Sequence, residues 1–102
     1  MQVYNIFVTS RAQANLAECL GFVLNVSKEA ANALKKDFEE AIYSLRTFPE
    51  RNPPFKMPKY TPFITKKHVV NGRYIIVYSI ENSSVIVYAV LDSRRNFEQL
   101  LK

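Results

Sequence analysis

Val70-Asn71-Gly72-Arg73-Tyr74-Ile75-Ile76-Val77-Tyr78-Ser79-Ile80-Glu81-Asn82-Ser83-Ser84-Val85-Ile86-Val87-Tyr88-Ala89-Val90-Leu91 is the stretch on which the reading of the fold turns. Asn71-Gly72 is the strongest short hairpin signal a sequence offers, because both residues tolerate the positive φ that a two-residue hairpin turn demands. β-branched and aromatic residues flank it, so Phe63 to Val70 and Arg73 to Glu81 read as paired strands. Asn82-Ser83-Ser84 turns the chain again, and Val85 to Leu91 reads as a final long strand. Tyr74 to Tyr78 is apolar on both alternations, which marks a central strand covered on at least one face.

Such a meander needs a cover, and the first half of the chain supplies one. Residues 2–8 are rich in β formers and read as a first strand. Thr9 and Ser10 offer capping oxygens for a helix running to about Leu24, with Leu16, Leu20 and Val23 as its apolar stripe and Cys19 and Leu24 beside it. Ser27 caps a second helix, with Glu29 in its first turn where the helix dipole favours an acid. Its stripe is Ala31, Leu34, Phe38, Ala41, Ile42 and Leu45, while Lys35, Lys36, Glu39 and Glu40 face water. All five prolines fall between Pro49 and Pro62, so that stretch reads as an extended loop. After Asp92-Ser93-Arg94-Arg95, Asn96 can cap a short helix carrying Phe97, Leu100 and Leu101. The expected fold is α+β, in the order β-α-α-β-β-β-(α), with a helical hairpin packed on a mainly antiparallel four-stranded sheet. Residues 1–102 read as a single domain.

Composition narrows the chemistry. One cysteine, Cys19, excludes an internal disulfide and fits a reducing cytosol. It lies beside the first helix stripe with no basic neighbour in sequence, and reads as a small buried hydrophobe. One cysteine and one histidine leave no zinc site, and no cofactor is expected. The N-terminus has neither a basic leader nor a small-residue cleavage site, and no segment is apolar enough to span a membrane, so a cytoplasmic protein is expected. The net charge of +5 is lopsided. Residues 1–50 hold five basic and six acidic side chains, whereas residues 51–102 hold nine and three. The second half is therefore read as facing something negative, nucleic acid or an acidic protein segment, against the plainer reading of a solvated basic surface.

Four groups of residues carry a family likeness. The first strand runs into Thr9-Ser10-Arg11-Ala12 and then an Asn15-Leu16 helix, and the second helix closes with Ala41-Ile42-Tyr43-Ser44-Leu45-Arg46-Thr47-Phe48-Pro49-Glu50. Asn71-Gly72-Arg73-Tyr74-Ile75-Ile76-Val77-Tyr78 and Val90-Leu91-Asp92-Ser93-Arg94-Arg95-Asn96 follow in order. Together they resemble the ParE/RelE superfamily of toxins from type II toxin–antitoxin (plasmid-stabilisation or addiction-module) systems, over essentially the whole chain. The resemblance implies a compact toxin, monomeric or weakly dimeric alone, that is neutralised by a cognate antitoxin whose segment wraps its surface. It leaves two targets open, since RelE-like members cut mRNA on the ribosome and ParE-like members inhibit DNA gyrase. A toxin-like module that binds without target activity is a third reading.

RNA cleavage through the 2′-hydroxyl needs a base, an acid and positive charge on the phosphate. For a RelE-like enzyme the resemblance implies an arginine three residues before the strand tyrosine Tyr78 and a tyrosine, or a His-Tyr pair, close to the C-terminus. Ile75 occupies the first position, and Phe97-Glu98-Gln99-Leu100-Leu101-Lys102 lacks the second. Both departures lean the reading toward ParE-like inhibition of gyrase. An alternative ribonuclease site would draw on His68, Arg73, Arg94 and Arg95, with Lys66 and Lys67 holding a phosphate. A lone strand histidine is more often packed or solvent-facing, and a lysine pair is usually a solvated edge. Of Arg94 and Arg95, one is expected to pair with Asp92 or pack, and the other to touch target or antitoxin through a planar fork suited to phosphate or carboxylate. Tyr74, Tyr78 and Tyr88 read as packing residues with hydroxyls at the rim. Lys59 and Tyr60 complete the expected binding set, while Arg51 and Lys56 read as solvated loop residues. The convergence of Lys66, Arg73 and Arg95 on one surface is the geometric expectation that ties these residues together.

Overall fold

Both helices begin where the sequence places their caps. Thr9 and Ser27 sit in extended backbone, and their hydroxyl oxygens accept from the N–H of Ala12 and of Ala30, each at 3.1 Å. These caps open α1 (Ser10–Leu24) and α2 (Lys28–Ser44) in the computed structural model, which describes residues 2–55 and 65–94. The short helix expected after Asn96 lies outside those residues, as do Lys56, Lys59, Tyr60 and Arg95. Among the described residues no helix is long and apolar enough to cross a membrane.

The strands are β1 (Asn5–Val8), β2 (Pro54–Phe55), β3 (Thr65–Val70), β4 (Tyr74–Glu81) and β5 (Ser84–Asp92). They form one sheet in the order β1-β5-β4-β3-β2. Two points correct the expected four-stranded sheet. The proline stretch contributes β2, antiparallel to β3, because Pro54 is tolerated at an edge that asks for no donor from it. β1 runs parallel to β5, with Asn5 opposite Ser84 and Val8 opposite Val87, so the sheet is mixed. The Asn-Gly signal holds: Asn71 and Gly72 take φ of 56° and 65°, and the Arg73 N–H closes the turn on Val70 O at 3.1 Å. Asn71 also donates from Nδ2 to Asp37 Oδ2 at 2.8 Å, fastening the hairpin tip to α2.

β5 departs from plain alternation. Val77 faces Ala89 and Tyr78 faces Val87, so Tyr88 is an extra residue in β5. The bulge lets Val85, Val87 and Val90 all reach the core under the helices, while Ala89 and Leu91 join a second apolar cluster on the far side. It also disturbs the ladder, and α1 repairs it. Thr9 Oγ1 donates to Tyr88 O at 3.1 Å, and Asn15 Oδ1 accepts from the Val90 N–H at 3.0 Å.

The main core lies between the helical hairpin and the sheet, built from Phe38, Leu34, Leu45, Tyr74, Ile76, Tyr78, Val85, Val87 and Cys19 among others. Cys19 is 4% exposed and packs as expected of a small hydrophobe. Leu24, expected beside the α1 stripe, is 56% exposed at the hairpin tip. The far side of the sheet holds Ile75, Val77, Ala89 and Leu91, with Phe55 against them. Tyr74 to Ser79 is buried throughout, as a strand apolar on both alternations requires.

Candidate functional site

Phe48 takes a left-handed conformation (φ 54°, ψ 46°), which a bulky side chain rarely adopts, and turns the chain off the end of α2 into Pro49. Pro49–Arg51 then makes one 3-10 turn. The Arg51 guanidinium folds back on the end of α2, donating from Nη1 to Thr47 O at 3.0 Å and Phe48 O at 3.3 Å, and from Nη2 to Ser44 Oγ at 2.9 Å. A cation there meets the negative end of the helix dipole. Arg51, read from sequence as a solvated loop residue, is thus a clamp on the helix end. Glu50 beside it accepts from the Tyr4 hydroxyl at 2.5 Å, which lowers its carboxyl pKa and raises that of the phenol.

This turn delivers Asn52 to the helical side of β3 and β4, beside His68 and Tyr78. Their hydrogen-bond roles follow from one fixed acceptor. The Pro49 carbonyl can only accept, so the Tyr78 hydroxyl donates to it. Tyr78 must then accept from Asn52, whose Nδ2 lies 3.0 Å from the phenol oxygen. The same amide nitrogen is 3.1 Å from His68 Nδ1, so Nδ1 presents its lone pair and the ring proton sits on Nε2. Burial first, and the Arg51 charge second, hold the imidazole pKa below its ordinary value, in keeping with a neutral ring. Burial likewise raises the pKa of Tyr78, which is 0% exposed rather than having its hydroxyl at a wet rim. A neutral imidazole with its proton on Nε2 and its lone pair already engaged is a poor general base.

Strand alternation separates the two lysines. Lys66 and His68 share the helical side with Tyr78 and Ile76, whereas Lys67 falls on the far side with Val77. Lys66 Nζ donates to Asn52 O at 2.8 Å, and Lys67 Nζ lies 5.8 Å from the centre of the Phe55 ring. Arg73 sits at the other end of the hairpin. Lys66 pairs with Tyr78 and Val70 with Tyr74, so the two cations stand at least four residues of strand apart, roughly 13 Å. The expected convergence of Lys66 with Arg73 does not occur, and Arg95, its third member, lies outside the described residues.

Arg73 rather than Arg94 pairs with Asp92. Its Nε and Nη2 reach the two carboxylate oxygens at 3.0 and 2.8 Å, in a fork whose acid is 4% exposed. The Arg94 backbone N–H also donates to Asp92 Oδ1 at 3.0 Å, while the Arg94 side chain is exposed at the strand exit. Of the two arginines from which one was expected to pair with Asp92 or pack, Arg94 meets the acid through its backbone N–H and Arg95 lies outside the described residues; register sets Tyr74 opposite Asp92, and Arg73 is the adjoining cation. Ile75, where the resemblance looks for an arginine, is 9% exposed and lies among Val77, Ala89, Leu91 and Phe55.

Two hollows complete the surface. A mainly apolar groove of about 510 Å³ runs between β1 and the last turns of α2, lined by Tyr4, Ile6, Ile42, Tyr43 and Arg46, with the Arg46 guanidinium stacked 4.8 Å above the exposed Tyr43 ring. Ile42 packs against the core as expected and also lines this opening, which sequence reasoning missed because an outward Tyr43 reads as an ordinary surface residue. A polar hollow of about 330 Å³ brings His68 near Asp37, Glu40 and Asn71. Among the described residues no group of three His, Cys, Asp or Glu side chains is placed to hold a metal ion. Asn52 was missed as well, since nothing local distinguishes it from any other loop asparagine.

The family model described as the ParE toxin of type II toxin–antitoxin systems, parDE, matches residues 6–97. Among solved structures, a chain from the chromosomal ParDE toxin–antitoxin system of P. aeruginosa superposes with a TM-score of 0.69 at 13% identity, covering 88% of this chain and 96% of its own. A chain of the RelBE2 toxin–antitoxin complex of Mycobacterium tuberculosis gives 0.60 at 20% identity, covering 90% and 93%. Both likenesses are of fold. No curated protein matches the chain by sequence.

Proposed function

The chain belongs to the ParE toxin family of type II toxin–antitoxin systems, and from that premise we propose that it arrests growth by gripping its target, DNA gyrase, rather than by cutting RNA. The state of His68 carries this reading. The chain has one histidine, and its Nδ1 lone pair is engaged by Asn52 while Nε2 holds the proton. A ribonuclease site needs a base, an acid and cations around one phosphate. Here Lys66 is engaged with a backbone carbonyl, Arg73 with Asp92, and Ile75 lies in an apolar cluster. Arg94 stays exposed at the end of β5 and is the described cation best placed to meet a target.

A cognate antitoxin restrains the toxin in the cytoplasm. Two solved structures that share this fold come from toxin–antitoxin systems, and the positive second half of the chain suits an acidic partner segment. The apolar groove between β1 and α2 offers such a segment a place for a large side chain.

One experiment separates the readings. Purified toxin is added in parallel to a gyrase supercoiling reaction and to a translation reaction. Loss of supercoiling with intact mRNA is expected; codon-linked mRNA cleavage would overturn the proposal. Growth that continues on induction without the antitoxin would instead favour a binding module with no target activity.

A further inference from the structure

The segment from Pro49 to Phe55 is a strap laid across one end of the sheet. It is tied at its start by Arg51 on α2 and at its end by the two-residue strand β2, with the Lys67 N–H donating to Pro53 O at 3.0 Å and Thr65 Oγ1 donating to Phe55 O. Two residues fall below the usual length of a strand and hold an edge weakly. Between the ties, Asn52 is the pin: its amide reaches both Tyr78 and His68, and its carbonyl accepts from Lys66.

We propose that Asn52, His68 and Tyr78 form a proton-sensitive latch, which holds the strap on the sheet while the imidazole is neutral and lets it go when the imidazole takes a proton. Protonation puts a hydrogen on Nδ1, pointing at the amide hydrogens of Asn52, so two donors face each other. Rotating the amide does not rescue the network. Asn52 Oδ1 would then face the phenol oxygen, and Tyr78 would have to abandon the Pro49 carbonyl to donate to it. Each arrangement loses a hydrogen bond between the strap and the sheet. Releasing the strap would leave the Thr65–Lys67 edge of β3 unpaired and open to another strand.

Several charges bear on the ring. Arg51 from the 3-10 turn and Lys66 on the same side of β3 oppose a further positive charge, whereas Asp37 and Glu40 of α2, across the polar hollow, favour it. Burial and Arg51 prevail, and the imidazole titrates below its ordinary value. The sign follows. The released strap binds the proton more readily, so the latch contributes fully above the ordinary histidine pKa and is lost as pH falls through the depressed one.

The test needs no mutation to begin, because His68 is the chain's only histidine and its ring resonances are unambiguous. In the full-length protein, ¹⁵N NMR at neutral pH should show a neutral ring protonated at Nε2. Hydrogen exchange, corrected for intrinsic rate, should then show the Lys67 amide losing protection between pH 7.5 and 5. The loss should be about tenfold for each unit by which the latched pKa lies below the released one. The Ile76 and Val77 amides of β4 should hold their protection, which separates strap release from global unfolding. His68→Gln keeps an acceptor but cannot titrate, and should keep Lys67 protected at both pH values. Protonation at Nδ1 in the neutral ring, pH-independent Lys67 protection in the wild type, or equal loss at Ile76 and Val77 would each overturn the latch.

Discussion

Arg73 and Arg94 lie within reach of the same carboxylate and do different work. Arg73 offers a planar fork to Asp92, which is 4% exposed, while Arg94 contributes only its backbone N–H and sends its side chain outward. A buried carboxylate that loses a bidentate partner keeps much of its desolvation cost. Arg73→Ala should therefore destabilise the fold by about 1.5–3 kcal/mol, the lower half being favoured because the Arg73 side chain is 31% exposed. Arg94→Ala should cost no more than about 0.5 kcal/mol yet relieve toxicity. Urea unfolding and a growth assay on the two variants check this. An Arg73 variant as stable as wild type would show that the fork contributes little, and an Arg94 variant of undiminished toxicity would remove Arg94 from the target contact.

At the scale of elements, the second helix is held to the sheet by Leu34, Phe38 and their neighbours in the core, and Phe38 is the one aromatic among its buried residues. Phe38 is 2% exposed and meets the Tyr74 ring edge to face, with centroids 5.1 Å apart at 71°. Phe38→Ala removes that contact and opens a cavity between α2 and β4, at a cost of about 3–5 kcal/mol. Chemical denaturation of the purified variant measures it, and a near-neutral result would mean that the helix can settle into the gap. α1 depends on side-chain hydrogen bonds as well as burial: Thr9 and Asn15 serve the backbone that the Tyr88 bulge disturbs. These two residues were part of the family resemblance, and the bulge supplies a physical reason for finding them at the start of α1.

Taken whole, the molecule is a mixed sheet with apolar clusters on both sides, and this decides what chemistry its second half can support. Ile75 lies on the side away from the helices with Val77, Ala89, Leu91 and Phe55. Ile75→Arg would set a guanidinium among them without the cluster of polar partners that an RNA-cleaving site requires. The expected outcome is a loss of about 2–4 kcal/mol, with no mRNA cleavage gained in a translation reaction. Cleavage appearing in that variant would show that the far side can be turned to catalysis by one residue. The basic second half does not gather its cations into one site among the described residues: Lys66, Lys67 and Arg73 are dispersed to two sides and two ends of a hairpin.

Local rules were enough to read the two caps, the helical hairpin, the Asn71-Gly72 turn and the central place of Tyr74–Tyr78, because each depends on neighbours within a few residues. They were also enough to set aside a disulfide or a zinc site, which depends only on counting cysteine and histidine. Tertiary structure alone decided the parallel seat of β1 beside β5, the bulge at Tyr88, the partner of Asp92 and the tautomer of His68. Each of these is a choice among distant partners: which strand lies alongside, which guanidinium is nearest, which way an amide must face once a carbonyl 29 residues from its tyrosine has claimed the phenol proton. Sequence spacing carries no such information. Strand pairing brings these groups together, and only then do the donors and acceptors leave a single consistent arrangement.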